Sequence, residues 1–103
     1  VNHLSYFYLT LLLLDMVKCE TGGRIINVAS MAHKRAKLDF YDLQMKQNFK
    51  GWAAYGRSKL MNIMFTYECH RRFSDSGVTF NCLHPGFVNS SLEIIMLGLH
   101  VDL

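Results

Sequence analysis

The sequence predicts an α/β chain built around one right-handed βαβ crossover of a parallel sheet. Two short apolar runs carry that prediction, "RIINVAS" from Arg24 and "VTFNCL" from Val78. Neither alternates cleanly between apolar and polar residues, as a strand with one wet face would. Both suit strands covered on two faces. Between them lies a long helical pattern, and parallel neighbours require such a crossover connection.

Residues 3–18 read as the first helix, with Leu4, Phe7, Tyr8 and Leu11 on one face. Lys18 in its last turn and Gly22-Gly23 beyond it are stop signals. Asn2 is most simply its N-cap. The first strand follows and ends at Ser30. A polar stretch from Met31 to Gly51 comes next, in which "DFYDLQM" is expected to form a short helix. The second long helix spans about Trp52 to Phe73. Leu60, Ile63, Met64 and Tyr67 recur there at i, i+3, i+4 and i+7, one stripe of the helical wheel. "SDSG" closes it, and "HPG" ends the second strand because proline cannot donate to a ladder. The apolar tail from Ser90 to Leu99 reads as a weak third helix. Two strands alone would both be sheet edges, so the remaining strands are expected from sequence outside this chain.

Composition narrows the function classes. Half of the 103 residues are hydrophobic, which favours a packed core in one domain at most. The net charge of +3 is mild. Lys34, Arg35 and Lys37, and again Arg71 and Arg72, read as solvated loop and helix-end charges rather than a nucleic-acid surface. Cys19, Cys69 and Cys82 are odd in number and far apart, which argues against a disulfide framework or a zinc site. An intracellular reducing compartment is the default. The histidines lack His-Glu-x-x-His spacing, so no metal is expected. Asp15 interrupts "LLLLDMV" before ~18 apolar residues accumulate. A buried helix is the reading there, with membrane association left open. Because Val1 already lies in a helical pattern with no leader visible, an internal fragment of a longer protein is expected.

In open α/β sheets, ligands bind beyond the carboxyl ends of the strands. Ser30 ends the first strand, Pro85 and Gly86 end the second, and Tyr55 and Lys59 lie in the first turns of the crossover helix. The i, i+4 spacing puts the phenol and the ammonium on one helix face. A free phenol titrates near 10, and bringing one to about 7 takes roughly 4 kcal/mol of differential interaction. A neighbouring cation supplies part of it. A phenol so tuned can exchange a proton with a substrate oxygen while a serine hydroxyl holds that oxygen. Taken singly, each residue has an ordinary structural reading; their order along the chain makes the case.

That order resembles the short-chain dehydrogenase/reductase family. Its Tyr-x-x-x-Lys motif matches "YGRSK", and its strand-end serine matches "NVAS". Its helix-opening asparagine matches "VNHLSYF", and its Pro-Gly-x-Val segment matches "PGFVNS". The resemblance implies catalytic roles for Asn2, Ser30, Tyr55 and Lys59. It implies cofactor contacts from Tyr55, Lys59, Pro85, Gly86, Val88 and Ser90, with Ser90 near the nicotinamide carboxamide. "NVASMAHK", "LDFYDLQ" and "AYGRSKLMNIMFTYECHRRF" look like the retinol dehydrogenase and WW-domain oxidoreductase branch. Ser5 and Tyr6 depart from it, standing where that branch usually has glycine and histidine.

The implied fold is the C-terminal part of a doubly wound, Rossmann-like parallel sheet, with two strands and about three helices in this chain. The implied activity is hydride transfer between a nicotinamide, NADP or NAD with NADP slightly favoured, and a lipophilic alcohol, aldehyde or ketone. The cytoplasm, or the cytoplasmic face of the endoplasmic reticulum, would suit it. The family's Gly-rich phosphate-binding turn would precede Val1, since no G-x-G-x-x-G occurs in these residues. A rival reading is a truncated, non-catalytic interaction module. Met61 and Phe65 give the second helix another apolar face, and the two long helices could form a homodimer surface.

Overall fold

The computed structural model describes residues 1–19 and 21–86. Helix α1 spans Leu4–Lys18, strand β1 Arg24–Val28, helix α2 Gly51–Phe73 and strand β2 Thr79–Leu83. The strands pair in parallel, with Ile25 opposite Phe80 and Asn27 opposite Cys82. Thr79 N–H to the Gly23 carbonyl (3.1 Å) and Ala29 N–H to the Leu83 carbonyl (2.7 Å) prolong the pairing at both ends. The chain enters β1 by folding back tightly over α1. A Cβ on Gly23 would lie 2.6 Å from the Val17 carbonyl oxygen, so only glycine fits this approach.

One face of the two-stranded sheet carries the core. Leu14 of α1 and Phe65 and Cys69 of α2 pack with Val78 and Phe80, and Ile25, Val17 and Phe73 close the cluster. On the opposite face Ile26 (54% exposed), Val28 and Leu83 stand open among the described residues. The expected cover on both faces is therefore present on one.

Several expectations need correction. Leu4, Phe7, Tyr8 and Leu11 are all exposed, and α1 instead buries Thr10 and Leu14. The helix is apolar nearly all round, so its periodicity does not choose a face; the sheet beneath it does. Asn2 is not the N-cap. His3 occupies that position without a side-chain capping bond, and the Asn2 amide reaches Ser58 instead.

On α2, Met64 and Tyr67 (72% exposed) point outward, and Leu60 and Ile63 are half-buried. The face laid on the sheet carries Gly56, Lys59, Asn62, Thr66 and Cys69, with Phe65 beside them. Small and hydrogen-bonding residues won that face because the sheet offers polar partners. The Asn27 amide donates to Thr66 Oγ1 at 2.9 Å, and Thr66 Oγ1 donates to the Asn62 carbonyl at 2.8 Å. Buried polar groups are tolerated when paired in this way.

"DFYDLQM" forms turns rather than a helix. Asp39 Oδ1 accepts from the Tyr41 amide, and the Asp42 carboxylate accepts from the Lys46 and Gln47 amides. Those bonds compete with a helical ladder. They also hold the Asp42 carboxyl below its ordinary value. Met45, at φ 54°, stops any helix there. The segment's one regular turn, a 3-10 helix over Met31–Arg35, lies earlier and was not expected. Arg71 and Arg72 do lie on an exposed helix end, where both grip Glu68 and lower its carboxyl to about 2. The tail helix expected from Ser90 to Leu99 lies outside the described residues.

The core assignment is open to direct test in the folded domain that contains this chain. Phe80→Ala should cost about 3–5 kcal/mol, the usual loss for a buried phenylalanine. Met64→Ala, on the outward face, should cost under about 1 kcal/mol. Urea midpoints of the two variants measure the difference, and equal losses would refute the division into inward and outward faces.

Candidate active site

The site is built where β1 ends. Beyond Val28 the chain buries Ala29 and presents Ser30 in an extended conformation (φ −157°, ψ 153°). Ser30 caps the 3-10 turn, its Oγ accepting from the Ala32 amide at 3.2 Å, while the His33 ring bonds the Ser30 carbonyl. This turn lies directly on α2. A Cβ on Gly56 would sit 2.8 Å from the Ala32 carbonyl oxygen, so glycine permits the contact. Gly56 lies between Tyr55 and Lys59, and the serine segment is thereby packed on the turn that carries both.

Lys59 is the unusual group. It is only 8% exposed, far drier than lysines normally are. Its Nζ donates to the Val28 carbonyl at 3.1 Å, tying α2 to the end of β1. The Tyr55 and Tyr6 rings flank the same ammonium, 5.6 and 5.7 Å from their centroids. Burial pushes the lysine below its ordinary value of 10.5, because the charged form loses hydration. The two ring faces return part of that loss by cation–π attraction. Trp52 meets the Tyr55 ring edge-on, with centroids 6.1 Å apart.

Asn2 joins from the start of α1. Its Nδ2 donates to Ser58 Oγ at 3.4 Å, and Ser58 Oγ donates to the Tyr55 carbonyl at 2.7 Å. The Asn2 carbonyl accepts from Asn62 Nδ2 at 2.9 Å. All four residues expected at the site thus meet the Tyr55–Lys59 turn or a segment packed on it. Among the described residues, no hydrogen bond joins Ser30 Oγ to Tyr55. Pro85 and Gly86 follow β2 beside the end of β1, with Gly86 in the left-handed region at φ 83°. Val88 and Ser90 lie outside the described residues.

Sequence reasoning missed three contributors. Arg57 straps the polar insert to α2, donating to the Lys37 carbonyl at 3.0 Å and the Asp42 carbonyl at 2.8 Å. Tyr6 covers Lys59, and Asn62 holds Asn2. Asn62 left a signal, an amide inside the apolar run "LMNIMF".

Lys59 brings N–H donors and Tyr55 a phenol to the same turn, a pair able to hydrogen-bond oxygen groups. An ammonium has three donors, and Val28 takes one. A separate cavity of about 400 Å³, lined by Thr66, Tyr67, His70, Thr79, Phe80, Asn81 and Cys82, opens further along α2. It begins about 16 Å from Tyr55 at 1.5 Å per helical residue and belongs to another part of the surface. Among the described residues, no group of three or more His, Cys, Asp or Glu could hold a metal ion. No described helix is long and apolar enough to cross a membrane.

Comparison with known proteins adds to this geometry. The model of the short chain dehydrogenase family matches residues 1–94. Retinol dehydrogenase 12 of Homo sapiens is 45% identical over 92 residues, covering 89% of this chain and 29% of the relative. Retinol dehydrogenase 14 of Mus musculus is 45% identical over 103 residues, covering 100% of this chain and again 29% of the relative. This chain therefore spans about three tenths of the length of the curated relatives it matches. A crystal structure of an uncharacterized protein from Mycobacterium Paratuberculosis aligns at a TM-score of 0.73 and 30% identity. That alignment covers 99% of this chain and 41% of the other.

Proposed function

Since this chain belongs to the short-chain dehydrogenase family, we propose that it supplies the catalytic portion of a nicotinamide-dependent oxidoreductase. The substrate class would be a lipophilic alcohol, aldehyde or ketone, retinoid- or steroid-like. The observation that carries this reading is the dry Lys59 ammonium held between the Val28 carbonyl and the Tyr55 ring, one turn from the tyrosine it would tune. Likeness to retinol dehydrogenases supports the substrate class.

The nicotinamide, when bound, supplies or accepts the hydride. The chain's residues do the rest. Tyr55 gives its phenolic proton to the carbonyl oxygen during reduction, or takes the hydroxyl proton during oxidation. A cation beside the ring favours the phenolate over the phenol. Lys59 is that cation, and its N–H groups not used by Val28 can hold ribose hydroxyls. Ser30 Oγ accepts from the Ala32 amide through a lone pair, so its hydroxyl proton would be free to donate to the substrate oxygen and fix its distance from Tyr55. Asn2 would hold a water joining Lys59 to solvent. Pro85 and Gly86, with Val88 and Ser90 beyond them, would line the nicotinamide. NADP is favoured over NAD on family likeness alone.

A second reading is favoured by one observation, the apolar outer surface of the helices. Leu4, Tyr8 (66% exposed) and Leu12 stand open on α1, as Met64 and Tyr67 do on α2. Such a patch suits association, and a homodimer through the two long helices would cover it. The 103 residues acting alone would then be an interaction module.

Two measurements separate these readings. In the complete domain, Tyr55→Phe keeps the ring and removes the transferable proton, so turnover should fall by about 100- to 10,000-fold with cofactor affinity little changed. A Phe variant with near-normal turnover would take Tyr55 out of the mechanism. The 103 residues alone should bind neither NADH nor NADPH, because a pyrophosphate needs a Gly-rich turn that these residues do not contain. Saturable binding in a fluorescence titration, followed by turnover of an aldehyde or ketone, would contradict that expectation.

A further inference from the structure

Asn62 has no exposed surface, the only large side chain so enclosed among the described residues. It sits three residues beyond Lys59 on α2. Every polar atom of its side chain that the structure ties down points to the start of α1. Nδ2 donates to the Asn2 carbonyl at 2.9 Å, and Oδ1 lies 3.1 Å from His3 Nδ1. Rotating the amide by half a turn would set Oδ1 against the Asn2 carbonyl, acceptor against acceptor. The orientation is therefore fixed, and His3 must carry its proton on Nδ1 to donate to Oδ1. The His3 ring in turn packs edge-on against Phe7 and Phe65. Two bonds and the His3–Phe65 contact, with Phe7 against Phe65 at 4.8 Å between centroids, thus anchor the opening of α1 on the middle of α2.

That opening carries two groups of the site. Tyr6 covers the Lys59 ammonium, and Asn2 reaches Ser58, whose hydroxyl bonds the Tyr55 carbonyl. We infer that Asn62 is a positioning residue, seating Asn2 and Tyr6 against the Tyr55–Lys59 turn so that bulk water stays off the face of the ammonium that Tyr6 covers, apart from the single water Asn2 would hold. The inference rests on the catalytic reading of that turn and adds a residue outside its four-membered set. Among the described residues no hydrogen bond joins Asn62 to the phenol or the ammonium; it acts through α1. Any buried amide must be paired; here both ends are spent on Asn2 and His3, so removing the amide loosens the opening of α1 and not only the core. The groups facing Lys59 are Tyr6 from α1, Tyr55 from its own helix and the Val28 carbonyl from β1. His3 faces Asn62 rather than the ammonium.

The physical consequence is a change in screening. With the seat lost, water reaches the ammonium and weakens its pull on the phenolate. Oxidation of an alcohol, which needs the phenolate as base, should then require higher pH. The test compares pH–rate profiles of the complete domain as wild type, Asn62→Leu, Tyr6→Leu and Tyr6→Phe. Asn62→Leu and Tyr6→Leu should each move the rising limb to higher pH by about half a unit or more. Tyr6→Phe keeps the ring and should keep the limb in place. A loss of packing alone would lower the amount of folded enzyme without moving the limb. If Asn62→Leu does not fold, His3→Leu replaces it, because it removes the donor to Asn62 Oδ1 at a half-buried position and should move the limb the same way. An active wild type whose folded variants all keep its limb would overturn this inference and leave the proposed function standing. A complete domain inactive with NAD and NADP on every alcohol tried would overturn both.

Discussion

A lysine ammonium leaves water only where the fold provides something in return. At Lys59 the return is a backbone carbonyl at the end of β1 and two aromatic faces, one from each helix. Meeting that requirement fixes much else. The helix must lie close enough to the strand for Nζ to reach the Val28 oxygen, so the face of α2 against the sheet is small and polar. The turn after Ser30 must press on α2, so a glycine stands between Tyr55 and Lys59. The opening of α1 must reach across, so Asn2 and His3 are bonded to Ser58 and Asn62. The site and the fold are one packing problem.

The same requirement sets a cost. Burial lowers the lysine below 10.5, so the folded chain binds its proton less tightly than the unfolded chain does. Stability contributed by this group is therefore complete above the unfolded value, and is lost as pH falls through the folded value. At neutral pH the charged lysine opposes folding. A core designed for stability alone would place methionine there. Retaining a cation beside a phenol is the kind of strain that functional sites carry.

The two long helices, the two strands and their order were legible in the sequence because they rest on strong local signals. Gly22-Gly23, "SDSG" and "HPG" punctuate the chain, and the apolar runs between them have strand or helix length. Tyr55, Lys59 and Ser30 stood out through their order along a βαβ unit, and the structure packs the Ser30 turn on the helix turn that carries the other two. Faces were harder. The stripe Leu60, Ile63, Met64 and Tyr67 is a good helical pattern, yet the sheet selected the side with Asn62 and Thr66. Periodicity counts apolar residues, whereas the sheet also had Asn27 to satisfy. On α1 there was no polar side to exclude. In "DFYDLQM" the aspartates captured amides that a helix would have used. Tyr6 and Asn62 act across more than fifty residues of sequence, a separation at which local pattern carries no information.

The central claim is that Lys59 is a dehydrated cation at the strand end, and the ammonium itself can be observed. Nitrogen-15 labelling of lysine in the complete domain, with Lys59 assigned by the signal lost in Lys59→Met, follows Nζ through a pH titration. The Lys59 midpoint should lie clearly below the ordinary 10.5. A Lys59 midpoint at or above 10.5 would show a solvated or ion-paired ammonium and contradict the account.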